Sequence, residues 1–266
     1  MNQNNWNDTW KKYLEELVDP NSINTSSLIS KKTLPPQLWD DKGKTRQPPM
    51  NPEVRDMAVR IANQFFETLE LDNIQIQDII LTGSLASYNW SDMSDFDLHI
   101  LIDYTGLDNK TLMEDYFKEK TKNWNDTHAI FLKGYEVELY IQDSNEPHVA
   151  SGIYSLMTNS WIKEPSKYRL EIDHTAVQKK AARLMEEIDD VYDIYAEKEY
   201  KLAQQSGDML MQRIKRYRKA GLEGGGIYSV ENLVFKVLRR NGYLKKLSSI
   251  KRLAYDASMT VYERKF

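Results

Sequence analysis

Apolar residues recur along this chain with two different periods, and the switches between them outline its parts. From Pro52 onward Val54, Met57, Ala58, Ile61, Ala62, Phe65 and Leu69 return at spacings of three and four, which predicts an amphipathic helix with proline in its first turn. Ile76 to Thr82 then reads as a largely buried strand ending at Gly83-Ser84, and after a polar loop Phe96 to Ile102 reads as a second. Lys110 to Trp124 returns to the helical period. His128 to Leu132 and Tyr135 to Ile141 are two apolar runs joined at Lys133-Gly134, a hairpin signal.

The flanks differ. Trp6 to Leu17 predicts a short helix, followed by an irregular stretch through Asp19-Pro20 to Leu34-Pro35-Pro36. From Ala176 to about Arg218 breakers are scarce and charge is continuous, which predicts long helices or one bent helix. Gly221 to Gly226 is expected to end them as an inter-helix turn, with Ser229 capping a helix to about Arg240 and a last helix after Asn241-Gly242. The expected class is α/β, more strictly α+β: a mixed sheet with a helical C-terminal region. The expected division is 1–51, an N-terminal helix and irregular segment; 52–170, the α/β domain; and 171–266, the helical domain.

Composition changes this picture little. Hydrophobic residues at 41%, charged at 29% and aromatic at 11% are those of a chain that folds. The absence of cysteine excludes disulfides, zinc-thiolate sites and thiol nucleophiles. No run approaches the roughly 18 to 20 apolar residues that cross a bilayer, and the polar start lacks signal-peptide features, so a cytoplasmic protein with no membrane partner is expected. Charge is uneven: residues 201–266 hold 15 Lys and Arg against 5 Asp and Glu, leaving 21 against 35 for the rest. The basic runs Arg213 to Lys219 and Arg239-Arg240 suit either a phosphate-bearing partner or a solvated helix face.

The candidate chemistry lies in Leu81-Thr-Gly83-Ser84 and, ten residues beyond Ser84, in Ser94-Asp95-Phe96-Asp97-Leu98. Strand alternation turns Asp95, Asp97 and His99 to one face and Phe96, Leu98 and Ile100 to the core. Two carboxylates roughly 6 to 7 Å apart along a strand suit a hard divalent cation that keeps sites for substrate phosphates. Gly83 permits close backbone approach, and Ser84 is expected to open a short helix whose N–H groups face an anion. Of the outward acidic residues in Tyr135 to Ile141, Glu138 is central and favoured as a third carboxylate, while Glu136 adjoins the turn. A calcium loop is disfavoured because Asp92, Asp95 and Asp97 fall at positions 1, 4 and 6 rather than 1, 3 and 5.

These residues resemble the DNA polymerase β-type nucleotidyltransferase superfamily in the Gly-Ser turn, the acidic pair split by one apolar residue and the later third acid. The resemblance covers about residues 52 to 143. The run Glu146 to Ser155 is similar, more weakly, to nucleotidyltransferases of large bacteriophages, which would place the protein in the host cytoplasm. The resemblance implies a polymerase β-like core and a two-metal mechanism with Mg2+ or Mn2+. Asp95, Asp97 and Glu138 would be the metal-binding and catalytic residues, and Gly83, Ser84 and Ser94 would hold a nucleoside triphosphate such as ATP. A nucleoside monophosphate would pass to a hydroxyl acceptor, whether nucleic acid, protein or small molecule, with release of pyrophosphate. Tyr88-Asn89-Trp90 departs from the family's small glycine-containing turn, and its aromatics are expected to pack rather than stack on a base. The rival expectation is a catalytically silent nucleotide- or RNA-binding module that keeps the fold.

Overall fold

Pro52 sits where its missing N–H costs nothing, at the start of α1 (Pro52–Glu67), and Asn51 caps the helix by accepting the Glu53 N–H. The computed structural model describes residues 19–40, 48–71, 74–148, 150–166 and 172–261. The expected helix Trp6 to Leu17 lies outside them. α1 buries Val54, Ala58, Ile61, Ala62 and Phe65, whereas Met57 of the expected stripe is exposed.

Six strands form one mixed sheet: β1 (Ile76–Leu81), β2 (Phe96–Ile102), β3 (Phe131–Leu132), β4 (Tyr135–Asp143), β5 (Ile153–Ser155) and β6 (Ser160–Lys163), in the order β3-β4-β2-β1-β5-β6. β1 is antiparallel to β2 and β5, and β2 is parallel to β4. A parallel pair needs a crossover, and α2 (Lys110–Thr127) is part of it. Asn125 of α2 bonds both backbone groups of Leu139 at 3.0 Å, sealing β4 where the two-residue β3 leaves off. Lys133 and Gly134, at φ +51° and +93°, make the two-residue hairpin turn read from the sequence. β5 and β6 carried too few residues for the period to show.

One sheet face carries Ile79, Leu81, Phe96, Leu98, Ile100 and Leu139, packed in a single core with α1, Phe117 of α2 and the segment ahead of α1 through Leu34, Leu38, Trp39 and Met50. That segment joins through side chains: the Trp39 indole N–H donates to Leu85 O at 3.0 Å, Trp161 donates to Pro48 O at 3.2 Å, and the Trp39 and Trp161 rings stack at 4.6 Å. The opposite face carries Asp97, His99 and Glu138 and, further along the sheet, a smaller buried cluster of Ile80, Leu101 and Ile153.

The second unit is helical: α3 (His174–Ala196), α4 (Tyr200–Gly225), α5 (Val230–Arg240) and α6 (Tyr243–Met259). Buried Ala181, Met185 and Ile188 of α3, Leu210 and Ile214 of α4, Leu233 and Val237 of α5 and Leu247 and Ile250 of α6 make its core. Ser229 caps α5 as expected. The expected break at Gly221 is corrected, because α4 runs on to Gly225. A Cβ at Gly221 would stand 2.4 Å from Glu231 Cβ, so this glycine serves close approach to the start of α5 rather than a turn.

The units divide at Leu28–Arg169 for the sheet and Met1–Ser27 with Leu170–Phe266 for the helices. This differs from a separate segment 1–51. Leu34, Leu38 and Trp39 belong to the sheet core, while Ile23 O accepts from Gln178 at 2.9 Å and Thr25 Oγ1 bonds His174 at 2.9 Å in the helical unit.

Candidate active site

Because β1 and β2 are antiparallel, the end of β1 lies beside the start of β2. Because β2 and β4 are parallel, the start of β4 lies there too. Asp97 and Glu138 are direct register partners, flanked by Phe96 with Val137 and Leu98 with Leu139 on the core face. Register partners on neighbouring strands share a face and sit roughly 5 Å apart, so topology brings together carboxylates 41 positions apart in sequence. Asp95 immediately precedes β2.

The Gly-Ser turn closes on the same spot. Thr82 N–H donates to Asp97 O at 3.2 Å, and Gly83 holds φ +73°. A Cβ at Gly83 would fall 1.9 Å from Asp97 Oδ2, so the Asp97 carboxylate rests where any other residue would place its side chain. The expected short helix after Ser84 is corrected: residues 83–86 form a turn, with Ser87 N–H donating to Ser84 O at 3.1 Å. The irregular segment 31–39 holds this loop. Besides the Trp39 bond to Leu85, Lys31 N–H donates to Tyr88 O at 2.6 Å and the Trp90 indole donates to Thr33 O at 2.8 Å. Tyr88 and Trp90 pack against the core, as expected of loop aromatics. Ser94 is buried, and its hydroxyl accepts the Ser91 N–H at 3.0 Å, which commits the side chain to the loop.

Tyr140 was not singled out in the sequence, although the alternation that turns Glu138 outward turns it outward too. Its hydroxyl donates to Glu138 Oε2 at 2.5 Å. Burial, this hydrogen bond, and the charges of Glu138, Asp97 and Asp95 all push the phenol well above its ordinary pKa. A single hydroxyl thus lies in the field of all three carboxylates. His99 stacks on Tyr140 at 4.8 Å and bonds Gln142 at 3.2 Å. Burial drives its pKa down to about 4, against the Gln142 bond and with some help from His148, so the imidazole is neutral at pH 7.

The donor set is all carboxylate oxygen on one sheet face, which matches magnesium or manganese chemistry. Among the described residues, however, no group of three or more His, Asp or Glu is already gathered as a metal shell. Glu138 is instead turned to Tyr140. Comparison with family models, curated proteins and solved structures finds no match.

Proposed function

We propose that the sheet unit is a polymerase β-like nucleotidyltransferase that moves a nucleoside monophosphate from a nucleoside triphosphate to a hydroxyl acceptor. The observation that carries this reading is the register pairing of Asp97 with Glu138 beside Gly83, whose missing side chain admits the Asp97 carboxylate. Asp95 and Asp97 would hold magnesium or manganese, with Glu138 completing the set. When bound, such ions supply charge neutralisation at the triphosphate and a lowered pKa for the acceptor hydroxyl. The chain's own part is positional. The Gly83-Ser84 turn, clamped by residues 31 to 39, offers backbone N–H groups to phosphate oxygens without having to reorganise. Neutral His99 behind Tyr140 adds no charge that would compete with a cation.

The Tyr140 bond to Glu138 favours a second reading, a module that binds nucleotide without transferring it. Labelled triphosphates incubated with magnesium or manganese and candidate acceptors separate the two. Transfer is expected, and Asp95→Asn and Asp97→Asn each reduce it to background. Transfer indifferent to both substitutions refutes the site, and metal-dependent nucleotide binding with no transfer to any acceptor supports the silent module.

A further inference from the structure

Between α3 and α4 of the helical unit lies a cavity of about 240 Å³ that the sheet chemistry does not use. Its floor is apolar, made by Leu184, Ile214 and the Tyr217 ring, and three cations border it with one carboxylate. That carboxylate, Glu187, is shared. Arg183 Nε lies 3.4 Å from its Oε1 and Arg213 is ion-paired with its Oε2, so one negative charge faces two guanidiniums. Lys180 is the third cation, loosely paired with Glu231 at 3.9 Å.

Tyr217 Oη is buried at the edge of the cavity, beside the Lys180 ammonium. Lys180 Nζ stands 5.5 Å from the ring centroid, and a hydrogen bond from the ammonium to the Tyr217 hydroxyl raises its pKa. Three cations and a hydroxyl offer more donors than the two oxygens of a carboxylate accept, whereas a phosphate's oxygens match them.

We propose that this cavity binds a phosphate ester, whose oxygens take the Tyr217 hydroxyl and the charges of Lys180, Arg183 and Arg213 while its carbon portion rests on Leu184 and Ile214. The site is independent of the sheet carboxylates. Calorimetric titration of the full chain in EDTA, which silences metal-dependent binding, tests it with inorganic phosphate, a nucleoside monophosphate, and a single-stranded oligonucleotide with and without a 5′-phosphate. At least one phosphate ester is expected to bind. Lys180→Gln weakens it about tenfold, Tyr217→Phe weakens it with no fall in melting temperature, and Asp97→Asn leaves it unchanged. Tighter binding of the monophosphate identifies a free nucleotide as the source, and tighter binding of the 5′-phosphorylated strand identifies a nucleic-acid end. Failure of every probe to bind, or binding that survives Lys180→Gln and Tyr217→Phe but is lost in Asp97→Asn, overturns the proposal.

Discussion

Gly83 joins backbone geometry to chemistry at a single atom. At φ +73° an alanine pays about 1–2 kcal/mol for the left-handed conformation, and its Cβ would displace the Asp97 carboxylate from a position only 1.9 Å away. Gly83→Ala is therefore expected to cost about 2 kcal/mol or more in chemical denaturation and to remove any transferase activity; wild-type activity in this variant would contradict the placement of Asp97. Tyr140 acts in the other direction, because its hydroxyl competes for Glu138. Tyr140→Phe frees the carboxylate at a cost of about 1 kcal/mol for one hydrogen bond. It is expected to tighten Mn2+ binding several-fold in a paramagnetic titration, and unchanged affinity would mean that Glu138 is no ligand. Asp143 supplies a pH prediction. Burial opposes its ionisation, but the Asn145 N–H, the Lys110 ammonium, the Asn145 side chain and the Tyr104 N–H outweigh it and hold the carboxyl at about 2 against an ordinary 3.8. A depressed folded-state pKa contributes stability above the unfolded value and loses it as pH falls from about 4 toward 2. Asp143→Asn should flatten the fall in melting temperature across that window.

At the scale of the element, two glycines of α4 give opposite expectations. Gly224 has open space where a Cβ would go, so Gly224→Ala should stabilise by up to about 1 kcal/mol from helix propensity. Gly221→Ala gains the same propensity but drives its Cβ against Glu231 Cβ at 2.4 Å and Ser229 Oγ at 2.7 Å. Overpacking of that kind costs about 1–3 kcal/mol, and the net effect should be destabilising. Thermal melts of the two variants that shift the same way would show that α4 and α5 do not meet as described. The two positions also show what local composition conceals. A glycine-rich stretch reads as a break because each glycine disfavours a helix, yet packing against α5 keeps the helix going through Gly221 and beyond.

At the scale of the whole molecule, each unit has its own core, and residues 28–51 belong to the sheet unit. A fragment of residues 28–169 should therefore melt as one cooperative transition, whereas a fragment beginning at Pro52 loses Leu34, Leu38, Trp39 and Met50 from that core and should melt far lower or not fold. The basic surplus of residues 201–266 is partly spent inside the helical unit, where Arg213, Lys219, Lys246 and Lys251 pair with Glu187, Glu223, Asp189 and Asp208.

Period and punctuation alone determined much of this protein: α1 from Pro52, β2 from Phe96, the Lys133-Gly134 hairpin, the Ser229 cap and the outward turn of Asp97 and Glu138 are set by residues within a few positions of one another. The strand order that puts Glu138 beside Asp97, the docking of Trp39 on the Gly-Ser loop, the capture of Glu138 by Tyr140 and the passage of α4 through Gly221 were decided only in three dimensions. Each of these depends on partners that neighbour one another in space without following a local repeat, and β5 and β6 are too short to carry a period at all.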